Sequence, residues 1–142
     1  MTVNDKGRTM KRSTADRLLD GVRERIIQAN RNEDFACRVE RAVVFGSYVN
    51  EPDRDRIGDL DIAIRLVDRY PKGEMNIVRQ RKIREAPGHM DTIYAMSWYR
   101  EEVYRFIRNR SPYIQILDMD LDAEAVFSKN WIDLPVDPDE GE

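Results

Sequence analysis

Cysteine and histidine are almost absent from this chain. Cys37 is the one cysteine, so no intrachain disulfide can form. His89 is the one histidine, which excludes a His-rich zinc site and leaves a His-dependent hydrolase a single candidate, placed in a turn. Long apolar runs are missing too. The first thirty residues are highly charged, with no stretch of signal-peptide length. No segment approaches the length that spans a bilayer. A cytoplasmic location is therefore expected. There is no excess of positive charge either: the formal net charge is −3, so no global field draws nucleic acid to the surface. Internal repeats and low-complexity tracts are also missing.

What remains is a chain of 142 residues, 36% charged and 41% hydrophobic, enough for one domain with a real core. Arginine outnumbers lysine among the cations, and arginine suits bidentate phosphate and carboxylate contacts. Residues 1–12 are polar and basic and are expected to be loosely packed. Ser13 and Asp16 have capping-box spacing, so a helix is predicted from there to about Asn30. Its apolar stripe is Leu18, Leu19, Val22, Ile26 and Ile27. Ala42 to Phe45 is continuously apolar and reads as a strand covered on both faces. Asp59 to Val67 reads as a second strand.

Pro71 and Gly73 break the chain before a helix over 74–85, and Pro87-Gly88 marks a turn. Ser97 can cap a helix whose acids lie near its start and whose arginines lie near its end, an order that suits the helix dipole. Ser111-Pro112 stops it, and Tyr113 to Leu117 reads as a third strand. Residues 118–142 carry nine acids against one cation, Lys129. A helical turn over Ala123–Phe127 is expected there, with 128–142 a loose end. The order α-β-β-α-α-β predicts an α/β (α+β) fold, a small mixed sheet with helices on one face.

Residues 41–64, RAVVFGSYVNEPDRDRIGDLDIAI, carry the chemistry. An apolar strand ends in Gly46-Ser47. After a polar loop, Asp59-Leu60-Asp61 opens the next strand. The strand period of two puts Asp59 and Asp61 on one face and Leu60, Ile62 and Ile64 on the other. Paired carboxylates repel unless a cation lies between them, and Mg²⁺ takes hard oxygen ligands that it shares with substrate phosphates. A Gly-Ser turn offers backbone N–H groups and a hydroxyl to those phosphates. The plainer reading is a turn followed by a strand that begins with solvated acids.

Gly-Ser followed about a dozen residues later by Asp-x-Asp resembles the nucleotidyltransferase superfamily of DNA polymerase beta, and more narrowly its small stand-alone minimal members. The resemblance covers 41–64 closely and the rest loosely. It implies transfer of an NMP group from ATP or another nucleoside triphosphate to a hydroxyl acceptor, with two Mg²⁺ ions. Gly46 and Ser47 would bind nucleotide, and Asp59 and Asp61 would be catalytic metal ligands. The superfamily usually adds a third carboxylate on a later strand. A neutral residue, Gln115, stands mid-strand where an acid would fit. Asp118 is then the first candidate for that catalytic and metal-binding role, Asp120 the second, and no third ligand the next alternative. Asp91, after a turn, ranks lower.

A further departure follows Ser47. Minimal members often carry Ala-Arg-Gly one residue on, where this chain has Val49-Asn50-Glu51. Arg54 or Arg56 could replace the lost arginine, although loop arginines more often pair with neighbours such as Asp53 and Asp55. The run Arg79, Arg81, Lys82 and Arg84 could hold phosphate, but a solvated helix face is the preferred reading. Trp98, Tyr99 and Tyr94 could stack on a base, but aromatic residues at helical spacing more often fill a core.

The departures leave a second function open. A degenerate relative would bind nucleotide and act as a regulatory or interaction module. By family analogy it could work in a toxin–antitoxin pair with a small helical partner protein. A homodimer is the other expected assembly. The acceptor (protein, tRNA or small molecule) is not named by any residue.

Overall fold

The computed structural model describes residues 8–138. A two-residue strand β1 (Met10–Lys11) leads into helix α1 (Arg12–Arg31), and strand β2 (Cys37–Phe45) follows. One helical turn, α2 (Ser47–Asn50), and the short β3 (Arg56–Ile57) separate β2 from β4 (Leu60–Asp68). Helices α3 (Lys72–Glu85), α4 (Thr92–Met96) and α5 (Trp98–Arg108) lead to β5 (Ile114–Asp118). The turn α6 (Ala123–Val126) and strand β6 (Ile132–Leu134) come last.

The main sheet has the order β5-β4-β2-β6. Strand β2 is antiparallel to β4 and β6, whereas β4 and β5 are parallel. Parallel neighbours cannot be joined by a tight turn, which is why three helices stand between β4 and β5. The fold is mixed α+β around a mixed sheet.

Side-chain alternation divides the core in two. Ala42 and Val44 of β2, with Leu60, Ile62, Ile64 and Leu66 of β4, meet α1 and α5 through Leu19, Val22, Ile26, Val103 and Ile107. Val43, Phe45 and Ala63 point the other way, onto Met119 and Val126. The two long helices share one face as expected, but α6 covers part of the other. A strand apolar on both sides needs cover on both.

Strand β2 begins five residues before the predicted Ala42. Over 37–40 it alternates, with Cys37 and Val39 buried and Arg38 and Glu40 exposed, and a bulge between Val39 and Arg41 then shifts the register. Asn30 fills the irregularity: its amide donates to the Val39 and Val136 carbonyls and accepts the Val39 N–H.

The capping box does not form. Helix α1 starts at Arg12 without a side-chain cap, and Asp16 instead accepts a bond from the Tyr48 hydroxyl. The two ends also need correction. Met10–Lys11 pairs with Arg56–Ile57, and Ile132–Leu134 pairs with Ala42–Val44, so neither stretch is loose. Met10 and Leu134 are buried, and each anchors its short strand. Residues 1–7 and 139–142 of the expected loose ends lie outside the described residues.

Arg69 closes the end of α1. Its guanidinium donates to the carbonyls of Ala29 (3.1 Å), Asn30 (3.1 Å), Phe35 (2.8 Å) and Cys37 (3.4 Å). Ala29 and Asn30 lie in the last turn of α1, where carbonyls lack a full set of helix partners; Ala29 also accepts the Asn32 N–H at 3.2 Å. Arg69→Ala is expected to lower the unfolding free energy by about 2–3 kcal/mol in urea denaturation, because several part-buried acceptors lose a charged donor together. A loss no larger than that of an ordinary surface substitution would contradict this role.

Candidate functional site

The β2–β4 register sets Phe45 opposite Asp61. At the next residue, Gly46, the chain turns with φ 78° and ψ −156°. Side chains avoid that region, and glycine enters it freely. A second constraint is spatial: a Cβ at Gly46 would run into the Asp61 carboxylate. Asp61 therefore lies directly against the main chain of the Gly46-Ser47 turn.

The turn is held from three sides. The N–H groups of Val49 and Asn50 donate to the Gly46 carbonyl, at 3.1 and 2.9 Å. Arg12 donates to the carbonyls of Tyr48, Glu51 and Arg54 and stacks over the Tyr48 ring, 5.0 Å from its centroid. Asn50 reaches the chain before β6: its amide donates to the Asn130 carbonyl (3.1 Å) and accepts the Asn130 N–H (3.0 Å). Sequence reading alone missed Arg12 and Asn50 as supports of the turn. Their partners are backbone groups distant in sequence, and no local pattern announces such contacts.

The acids at the head of β4 are not both solvated strand ends. Asp59 is 3% exposed, which few ionisable groups are. Burial, and then the charge of Asp59, push the Asp61 carboxyl up to about 6. A carboxylate raised by burial and by a neighbouring acid favours a nearby cation. Burial also pushes the Cys37 thiol up to about 11, as befits a small hydrophobe in the core.

Position 115 is where a third carboxylate would belong. The parallel β4–β5 register sets Gln115 opposite Asp61 and Asp118 opposite Ile64. Asp118 accepts from the Arg100 guanidinium (3.3 Å) and from the N–H groups of Asp120 and Leu121 (2.9 and 3.1 Å). It is three residues along the strand from Asp61's neighbour and odd in spacing, so it points to the opposite face of the sheet. The expectation that Asp118 completes the acidic cluster is corrected on that ground. Asp120 pairs with Arg65 at 2.9 Å, and Asp91 caps α4 through the Tyr94 N–H at 3.0 Å. No group of three or more His, Cys, Asp or Glu side chains placed to hold a metal occurs among the described residues.

A cleft of about 440 Å³ opens beside the turn. Phe45, Gly46, Ser47 and Asn50 form one wall, and Val126 and Lys129 belong to the other. The volume suits a small ligand. Larger depressions lie elsewhere, about 600 Å³ along β2 and β6, about 740 Å³ beside α5 and about 460 Å³ over α6. Arg41 is paired with Asp133 in the first and Arg105 with Glu101 in the second.

Other cations singled out in the sequence are engaged as well. Arg54 pairs with Glu51 and Arg56 bonds to Thr9, rather than either pairing with Asp53 or Asp55. Arg79 bonds Asp68 and covers the Tyr99 ring, Arg81 meets Glu85, and Lys82 is buried against Glu102 at 3.0 Å. Arg79, Arg81 and Lys82 of the basic run are thus paired within the fold, while Arg84 is exposed. Tyr99 packs at the edge of the main core, whereas Tyr94 is exposed. No helix of the described residues is long and apolar enough to cross a membrane.

Comparison with protein-family profiles, with curated proteins and with solved structures returns no match to this chain.

Proposed function

We propose that the chain is a magnesium-dependent nucleotidyltransferase with a nucleotidyltransferase-like fold. It would move an NMP group from ATP or another nucleoside triphosphate to a hydroxyl of an acceptor still to be identified. One observation carries this reading: the Asp61 carboxylate, coupled to buried Asp59, lies against the positive-φ turn at Gly46-Ser47. Phosphate oxygens need close backbone approach and donors, which the glycine–serine turn supplies. Asp59 and Asp61 would hold a divalent cation there, and the raised Asp61 carboxyl fits such a donor set. Mg²⁺ bound to them would screen the triphosphate charge and polarise the phosphoryl oxygen under attack. In the reaction the acceptor hydroxyl would attack the α-phosphorus and release its proton to solvent, the bond to the β-phosphate would break, and pyrophosphate would leave. The test is magnesium-dependent transfer of labelled nucleotide. A purified protein that binds no nucleotide, or is indifferent to Asp61→Asn, would overturn the reading.

Gln115 favours a second reading. With a neutral amide opposite Asp61, and Asp118 committed to Arg100, the donor set serves one cation better than two. A protein of that kind would bind nucleotide without turning it over and would act as a regulatory module, alone, as a homodimer or with a small helical partner. Binding without transfer, even with Mn²⁺, would select it. Detectable transfer to any acceptor would eliminate it.

The substitution Gln115→Asp probes the difference. A third carboxylate beside Asp61 is expected to destabilise the metal-free protein by about 1–3 kcal/mol through like-charge repulsion. It should also tighten Mn²⁺ binding about tenfold or more, since affinity follows ligand charge. Calorimetric titration of both proteins reads the effect, and unchanged Mn²⁺ affinity would contradict the placement of this site.

A further inference from the structure

We infer that Lys129 is a phosphate-binding residue of the cleft beside Ser47. It would supply the positive charge that the loop after Ser47 does not. The inference deepens the proposed function and rests on it. The ligand class is the polyphosphate end of a nucleoside triphosphate.

Three observations converge on Lys129. It is exposed and lines the same cleft as Gly46 and Ser47, and among the described residues that line this cleft it is the one cation. The loop arginines that might have served are turned elsewhere, Arg12 to three carbonyls, Arg54 to Glu51 and Arg56 to Thr9. The backbone next to Lys129 is fixed to the turn, because Asn50 holds Asn130 by two hydrogen bonds and also donates to the Gly46 carbonyl at 3.0 Å. Asn50 is thus a positioning residue. It ties the lysine-bearing segment to the glycine that carries the site.

The cleft is not uniformly positive. Glu51 lines it too, but its carboxylate is turned to Arg54 at 3.3 Å. In a stretch with nine acids, a single lysine at this place opposes the local charge. A flexible ammonium is a sufficient partner for phosphate, since it acts as a point charge without bidentate geometry.

Calorimetric titration of the full chain with ATP, AMP and inorganic tripolyphosphate, each with Mg²⁺, tests the inference. Lys129→Ala is expected to weaken ATP and tripolyphosphate about tenfold or more and to leave AMP within about twofold, the loss of one charge-assisted contact to the phosphates beyond the first. Lys129→Arg should retain most of the affinity. Asn50→Ala should weaken ATP by a smaller factor, and adding Asn50→Ala to Lys129→Ala should cause little further loss, a coupling that a merely structural role would not produce. Wild-type binding of ATP that Lys129→Ala leaves unchanged would overturn the inference while leaving the nucleotide site intact. An equal loss for AMP and ATP would also overturn it. A wild-type protein that binds none of the three ligands would overturn the function and this inference together.

Discussion

Asp61→Asn is expected to make the protein more stable at neutral pH and to remove its activity. Asp61 has its ordinary value of 3.8 in the unfolded chain and about 6 in the folded one, raised by burial and by Asp59. A carboxyl whose folded value is raised binds its proton more tightly in the native state. Its stabilising contribution is complete below about 4 and is lost as the pH rises through about 6. By linkage the loss is about 3 kcal/mol at neutral pH in the metal-free protein. Asparagine carries no charge, so the variant should keep most of that stability, about 2 kcal/mol more than wild type at about pH 7. The gap should vanish near about pH 4. Urea denaturation at both pH values checks this, and an identical pH dependence in the two proteins would contradict a raised Asp61 carboxyl. The proposed nucleotidyl transfer should fall on the order of a thousandfold, because the variant would lose a ligand of the proposed cation and with it several kcal/mol of charge stabilisation. Stability gained where function is lost is the expected signature of a site that holds like charges together.

Gly46→Ala should have the largest effect on folding. A side chain at φ 78° and ψ −156° is strained wherever it lies, and here it also meets the Asp61 carboxylate. The two effects together are expected to remove about 2–4 kcal/mol of stability. They can be separated, because Asp61→Ala removes the obstacle but not the strain. The double variant Gly46→Ala/Asp61→Ala should therefore lose about 1–2 kcal/mol less than the sum predicts from Gly46→Ala and Asp61→Ala alone. Simple additivity would mean that Asp61 does not lie against the turn. The same alanine would push the carboxylate away from Ser47, so nucleotide binding should fail even in the fraction that folds.

Much of this site was legible in the sequence because it depends on local rules. Strand alternation places Asp61 opposite to Leu60 and Ile62 in facing, and a glycine at a strand end signals an unusual φ. The missing acid at 115 was legible as well, since β4 and β5 pair in register along apolar runs. Asp118 was misjudged because its position follows the strand phase, while its partner Arg100 comes from a helix that no local pattern connects to it. Strands β1 and β6 were missed for a related reason. A two- or three-residue strand has too little alternation to read, and it exists only because Met10 or Leu134 finds a place in the core. Asp16 satisfied the spacing of a cap, yet Tyr48, distant in sequence, holds its carboxylate. Contacts of this kind are set by the fold as a whole, and the sequence shows them only as residue types without partners.

In the proposed site Asp59 and Asp61 share a divalent cation with a triphosphate seated on the Gly46-Ser47 turn. A crystal grown with Mn²⁺ and a nonhydrolysable nucleoside triphosphate tests it most directly, because the anomalous signal of manganese locates the ion independently of any interpretation of the nucleotide. The predicted result is a manganese peak bonded to carboxylate oxygens of Asp59 and Asp61, with the phosphates over Gly46 and Ser47. A well-ordered nucleotide bound elsewhere, or saturating Mn²⁺ with no peak between these two acids, would contradict the account.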